Sequence, residues 1–171
     1  MDSALRDQLA ACHEESFAWA LGCCGRDRRE AEEVLQAVYL KVLDGRARFG
    51  GRASFRTWLF AVIRRTAADH RRRAAWRRLR LVPLGRGTGM PSASAAPDED
   101  AEAADRRERL TRALERLPRR QREVLLLVFY HGHTVEEAAG VLGIGVGSAR
   151  THYARGKARL RELLGERGWT G

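Results

Sequence analysis

Apolar positions recur near the helical period of 3.6 in two separate stretches of this chain and lose that period between them. The clearest stripe lies in Ala53–Arg73, where Phe55, Trp58, Leu59, Val62 and Ile63 share one helical face. The same segment then turns basic at Arg64, Arg65, Arg71, Arg72 and Arg73. Ser54 precedes it as an N-cap, because its hydroxyl can accept from an orphan N–H of the first turn. Trp58 falls on the stripe and is read as core. Upstream, Leu5, Leu9, Cys12, Phe17, Ala20 and Leu21 predict one helix over 3–24, closed by Gly22 and Gly25. Asp27, with Glu30 three positions on, predicts a capped helix over 27–43. Its stripe is Ala31, Val34, Leu35, Val38, Tyr39 and Val42, and its other face carries Glu30, Glu32, Glu33 and Gln36. Gly45, Gly50 and Gly51 break the chain between this helix and the next.

The pattern lapses over 81–104, where Pro83, Pro91 and Pro97 stand among Gly and Ser, as in a flexible linker. Helical spacing returns with Leu110, Leu114 and Leu117, ended by Pro118. A second helix carries Val124, Leu125, Leu127, Val128 and Phe129 and stops near His131-Gly132. Thr134 and Glu137 form a T-x-x-E capping box for a short helix to Leu142, and Gly143 suits the left-handed position that ends it. A tight turn over 143–146 leads to a last helix through Leu164. The expectation is an all-α chain of two small helical domains, 1–80 and 105–171, joined by the flexible linker 81–104. The second is a helix-turn-helix domain.

Charge changes the picture from two generic bundles to two with different partners. The chain of 171 residues has 32 Lys+Arg against 22 Asp+Glu, a formal net charge of +10. All the basic residues but Lys41 and Lys157 are Arg. Arg suits bidentate contact with phosphate and guanine, although a GC-rich genome would also favour it. Residues 1–43 hold five basic and eight acidic residues, whereas 44–80 hold twelve basic and two acidic. The linker is net acidic, and 105–171 is basic again, with fourteen basic and eight acidic residues. Such segregation fits an anionic partner at one face and a different partner at another.

The terminal helix pair then has a chemistry to perform. A helix entering the major groove needs small residues at its start and polar side chains along its first turns. Gly145, Gly147, Ser148 and Ala149 meet the first need, and Ser148, Arg150, Thr151, His152, Arg155 and Lys157 the second. No phosphate loop, H-E-x-x-H motif or nucleophile elbow occurs, so no catalytic residue, cofactor or metal is assigned. Asp69-His70 is read as structural, with Asp69 pairing to Arg65 or Arg73 at i±4. Cys12, Cys23 and Cys24 lack the spacing of a metal site and are read as buried or incidental thiols. No bilayer-spanning run or signal peptide is visible, which predicts a cytoplasmic protein.

Two motif sets resemble bacterial sigma factors of the extracytoplasmic-function type. Glu-Ala-Glu-Glu-Val-Leu-Gln (30–36), Ser-Phe-Arg-Thr-Trp-Leu (54–59) and Asp-His-Arg-Arg-Arg (69–73) are similar to their second conserved region. Leu-Pro-Arg-Arg-Gln-Arg-Glu-Val-Leu-Leu-Leu (117–127) and Leu-Gly-Ile-Gly-Val-Gly-Ser-Ala-Arg-Thr-His (142–152) resemble their fourth. The resemblance implies a protein that binds RNA polymerase core and directs it to promoters. It implies that Glu30, Glu32, Glu33 and Gln36 contact the clamp helices of the largest polymerase subunit, with a further contact to the flap. It implies that Phe49, Arg52, Ser54, Arg64, Arg65, Asp69, Arg72 and Arg73 capture and melt the minus-ten element, Phe49 as a stacking plane. The helix-turn-helix would read the minus-thirty-five element. An anti-sigma partner is also implied, placing the chain at the nucleoid in holoenzyme or at the membrane when sequestered. The chain departs from the family pattern at Ala37, Arg65, His152, Ala154 and Gly156. A DNA-binding regulator without polymerase, and an enzyme acting on nucleic acid, are the competing readings.

Overall fold

The computed structural model describes residues 3–80 and 101–165, with side chains over 4–77 and 102–165. The chain divides into two compact units, Met1–Pro91 and Ser92–Gly171. The segment 81–100, most of the predicted linker, lies outside the described residues.

The first unit contains α1 (Ser3–Ala11), α2 (His13–Cys23), α3 (Arg28–Leu43) and α4 (Phe55–Arg80). The single helix predicted over 3–24 is broken at Cys12, where no glycine or proline marks the turn. α2, α3 and α4 pack on one another around Trp19, Val34, Val38, Leu59, Phe60 and Ile63, each essentially without solvent exposure. Trp19 and Phe60 fell outside the predicted stripes. Their rings nevertheless stack in parallel at 5.7 Å, and the Trp19 indole N–H donates to the Phe60 carbonyl at 3.0 Å. That bond satisfies the indole's polar atom, without which its full burial would be costly.

Asp27 caps α3 as expected, its carboxylate accepting from the Glu30 N–H at 2.9 Å. The return half of the box is absent, because the Glu30 carboxylate turns to His70 on α4 at 3.2 Å. Lys41 on α3 donates to the Thr66 hydroxyl on α4 at 3.0 Å and further ties these helices. Between them, Gly45 and Gly51 take positive φ near 70°, a conformation that L side chains rarely adopt. The Ser54 hydroxyl then accepts from the Thr57 N–H at 3.1 Å and starts α4.

The second unit contains α5 (Ala101–Glu115), α6 (Arg119–Leu125), α7 (Val135–Leu142) and α8 (Val146–Leu164). α5 begins inside the segment read as linker. Ala113, Leu117, Leu125 and Leu160 form a core against which Leu114, Tyr153, Leu163 and Leu164 pack. α6 runs on into a π turn over Leu126–Tyr130, in which the His131 N–H reaches back five residues to the Leu126 carbonyl at 3.1 Å. Phe129, in this turn, is 48% exposed and stacks on the Tyr153 ring of α8 at 5.8 Å. Glu123 behaves oppositely: it is 3% exposed and accepts from Arg119 Nε at 2.9 Å, a partner that makes its burial tolerable. The capping box of α7 is complete, with Thr134 and Glu137 each accepting from the other's backbone N–H, at 3.1 and 2.8 Å. Gly143 adopts the left-handed conformation at its end.

Candidate nucleic-acid interface

On α4 the basic residues divide between two flanks. At about 100° per residue, positions seven apart nearly coincide, so Arg64 lies over Arg71 and Arg65 over Arg72. Arg64 is half-buried, and Arg71 donates to the Cys23 carbonyl at the end of α2. These two guanidiniums therefore sit beside the packed core, partly buried. Arg65, Asp69 and Arg72 share the other flank, and Arg73 is exposed further along. Asp69 pairs with Arg72 at i+3 and not with Arg65 or Arg73 at i±4. Arg65 and Arg73 consequently have no acidic partner among the described residues. Asp69 thus neutralises one guanidinium of this flank.

Phe49, Phe55 and Trp58 form an aromatic cluster where α4 begins, with ring centroids 5.4–5.5 Å apart. Trp58 lies at the rim of the core and is only half-buried. Phe49 is 41% exposed, so its ring both packs on the cluster and offers a surface to solvent. Arg52 is exposed in the loop before it. The Ser54 hydroxyl is already engaged as the cap of α4.

On α3, the predicted polymerase-facing residues are not equivalent. Glu30 and Glu33 each place a carboxylate oxygen beside a different nitrogen of His70, at 3.2 and 3.3 Å, and so tie α3 to α4. Glu32 pairs with Arg28 at 3.0 Å, and Gln36 is exposed. Glu32 and Gln36 rim a groove of about 280 Å³ between α2 and α3, floored by Phe17, Leu35 and Tyr39. The sequence signalled this groove only as the apolar residues of two separate stripes, because their convergence is a tertiary fact.

α8 presents three surfaces. Ala149, Gly156 and Leu160 are buried. Opposite them Gly147, Thr151, Ala154 and Ala158 form a narrow exposed line of small side chains. Arg150 and Lys157 flank that line on one side, with Ser148, His152 and Arg155 on the other. The six predicted residues therefore straddle the exposed line and do not share a single face. A helix with small residues along its centre and basic ones at its edges can approach a groove about 12 Å wide while reaching both phosphate walls. Two of the six are already engaged. Arg150 donates to Glu136 of α7 at 2.7 Å, which holds the Glu136 carboxyl below its usual range. The Thr151 hydroxyl donates to the Gly147 carbonyl within the helix at 3.0 Å. Lys157 lies 5.4 Å over the Tyr153 ring, which in turn stacks on Phe129.

Among the described residues no group of His, Cys, Asp and Glu could hold a metal ion, and no helix is long and apolar enough to cross a membrane. Two all-helical units, each with an exposed basic helix and one ending in a helix-turn-helix, have the architecture of a DNA-binding protein. Residues 13–77 match sigma-70 region 2 and residues 107–160 match sigma-70 region 4. The chain is 35% identical to the RNA polymerase sigma factor CarQ of Myxococcus xanthus, over 94% of this chain and 89% of that one. It is 31% identical to the ECF RNA polymerase sigma factor SigX of Bacillus subtilis, over 82% and 75% of the two. In fold it is similar to a chain of the complex of the sigma factor RpoE with the anti-sigma factor NepR from Bartonella quintana. That match has a TM-score of 0.72 at 21% identity and covers 95% of this chain and 98% of that one. A chain of the complex of CnrH with the cytosolic domain of CnrY matches with a TM-score of 0.62 at 24% identity, over 92% and 86%. The chain belongs to the extracytoplasmic-function RNA polymerase sigma factors. It is a transcription initiation factor that binds RNA polymerase core and directs promoter-specific initiation.

Proposed function

We propose that the two units divide promoter recognition between them, with residues 81–104 as the connection. Residues 1–80 hold the polymerase core and the minus-ten element, and residues 105–171 read the minus-thirty-five element. The observation that carries this reading is the pair of exposed basic surfaces on α4 and α8, each next to a small or aromatic surface that admits bases.

Melting on α4 is differential binding and breaks no covalent bond. Arg65 and Arg73 hold phosphates, Arg72 does so after exchanging Asp69 for one, and Phe49 and Trp58 offer ring planes that an unpaired base can stack on and a paired base cannot. Glu32 and Gln36, at the rim of the α2–α3 groove, contact the polymerase clamp helices. Glu30 and Glu33 act mainly by fixing α3 to α4 through His70, and Arg64 acts from within the bundle. On α8, Arg155 and Ser148 face DNA directly, whereas Arg150 must first exchange Glu136 for a base or phosphate. The fold neighbours from anti-sigma complexes support an anti-sigma partner here as well. The chain then works in the cytoplasm, at the nucleoid within holoenzyme or at the membrane when its inhibitor is anchored there.

Reconstitution tests the reading. Core polymerase plus this chain should yield transcripts from a defined promoter, and the chain should co-purify with core. Absence of both sinks the proposal. Arg150→Ala should weaken minus-thirty-five binding by about 1–3 kcal/mol and relax selectivity at one base pair. An equal loss on every sequence would make it a phosphate contact. Substituting Arg72 and Arg73 should impair opening, and undiminished permanganate reactivity of melted thymines would remove that role.

A further inference from the structure

The last described turns of α4 run past the bundle. From Arg72 to Arg77 no residue is buried, and Arg72, Arg73, Ala75, Trp76 and Arg77 are all exposed. Trp76 is 65% exposed and has neither a ring nor a hydrogen-bond partner among the described residues. Its ring faces are therefore open to a flat partner, on a stretch of helix whose other exposed side chains are mostly arginines. Its position is also specific. Spacings of four, seven and eleven residues from Arg65 put Asp69, Arg72 and Trp76 on the same flank. Trp58 begins that flank seven residues before Arg65. The flank therefore carries an aromatic at each end, about 27 Å apart at 1.5 Å per residue, with arginines between them.

We propose that Trp76 is a second base-stacking station on α4 and that it holds an unpaired base of the DNA strand tracked by Arg65 and Arg73. The proposal rests on the reading of α4 as the promoter-melting helix and extends its contact surface beyond the residues named there. Charge selects the occupant. Arg73 and Arg77, three residues before and one after Trp76, are exposed and have no acidic partner among the described residues, so an apolar protein segment docking on Trp76 would leave guanidiniums near it uncompensated. A polyanion with flat apolar faces satisfies both. Duplex DNA meets only the charges, because its base faces are already stacked. The preferred form is single-stranded.

Holoenzyme carrying the wild-type chain, Trp76→Ala or Trp76→Phe tests this with two promoter probes. One is fully duplex, and the other has its non-template strand unpaired across the minus-ten region. Wild-type holoenzyme should bind the second more tightly. Trp76→Ala should lose about 5- to 150-fold on that probe, the range of one base–aromatic stack, and little on the duplex. Trp76→Phe, which keeps a ring, should recover most of the loss. Equal affinity of Trp76→Ala and wild type on the unpaired probe overturns the proposal, and so does an equal loss on both probes. Loss of co-purification with core would instead assign Trp76 to a protein contact and also overturn it. If wild-type holoenzyme gains nothing from the unpaired segment, the reading of α4 falls together with the proposal. If it gains and Trp76→Ala gains as much, only the role of Trp76 falls.

Discussion

Gly156 sits in the interior of α8, where a glycine costs about 1 kcal/mol of helix propensity relative to alanine. On propensity alone Gly156→Ala should stabilise the chain. The structure reverses the expectation. A Cβ at this position would lie 3.2 Å from Gln121 Cβ and 3.2 and 3.3 Å from Leu125 Cδ1 and Cγ. Carbon pairs prefer about 3.5–4.0 Å, so the methyl overlaps α6. Gln121 Cβ is fixed to the backbone of α6, and Leu125 is 2% exposed in the core, so neither yields without moving its surroundings. Overpacking of this kind costs about 1–3 kcal/mol. Gly140 on α7 provides the control, because a Cβ there would meet nothing within 4 Å. Gly140→Ala and Gly156→Ala share the propensity gain, which cancels when the two are compared. Gly140→Ala should stabilise the second unit by about 1 kcal/mol, and Gly156→Ala should fall below it by the whole overpacking cost, about 1–3 kcal/mol. Hydrogen exchange of α6 and α8 amides in the full chain reads this unit separately from the other. Equal protection in the two variants would refute the close approach of α6 and α8 at Gly156. The same approach sets how α8 is aimed, so Gly156→Ala should also weaken minus-thirty-five binding while Gly140→Ala leaves it unchanged.

Thr134→Ala removes half of the α7 capping box and should cost about 1 kcal/mol, visible as faster exchange in α7; unchanged exchange would contradict it. Glu136→Ala releases Arg150 and should tighten DNA binding, measured by anisotropy on a minus-thirty-five duplex; weaker binding would show that Glu136 positions Arg150 productively. Burial pushes the Cys24 thiol up to about 12, aided by the nearby Glu30 carboxylate. Its raised value means that the folded chain keeps this proton where the unfolded chain, near 9.0, gives it up. Cys24 therefore favours folding below pH 9 and loses that contribution as pH rises from there toward 12. In the folded chain at pH 8 Cys24 stays protonated and buried, so iodoacetamide should modify it mainly on unfolding. Labelling of the native protein at the rate of a free thiol would refute the burial.

The helices and their caps were legible in the sequence because they are set by neighbours three and four residues away. Ser54, Asp27, Thr134 with Glu137, and Gly143 act at the helix ends where their residue types placed them. The two motif-bearing stretches likewise carried the family, since the helix-turn-helix and the basic helix α4 depend on local spacing. Tertiary structure decided which member of each pattern does what. Trp19 and Phe60 pair across 41 residues and so appear in neither helix's own stripe. Glu30 and Glu33 looked like one solvent-exposed face until His70, forty and thirty-seven residues away, claimed both. Arg64 and Arg71 were indistinguishable from Arg65 and Arg72 by composition, and only the position of the core around α4 separates them. Gly156 read as a defect because propensity is a property of one helix, whereas its purpose is the space it leaves for another. Local rules determine where a helix begins and ends. The contacts between helices, which no sequence window contains, determine which of its faces is left to bind.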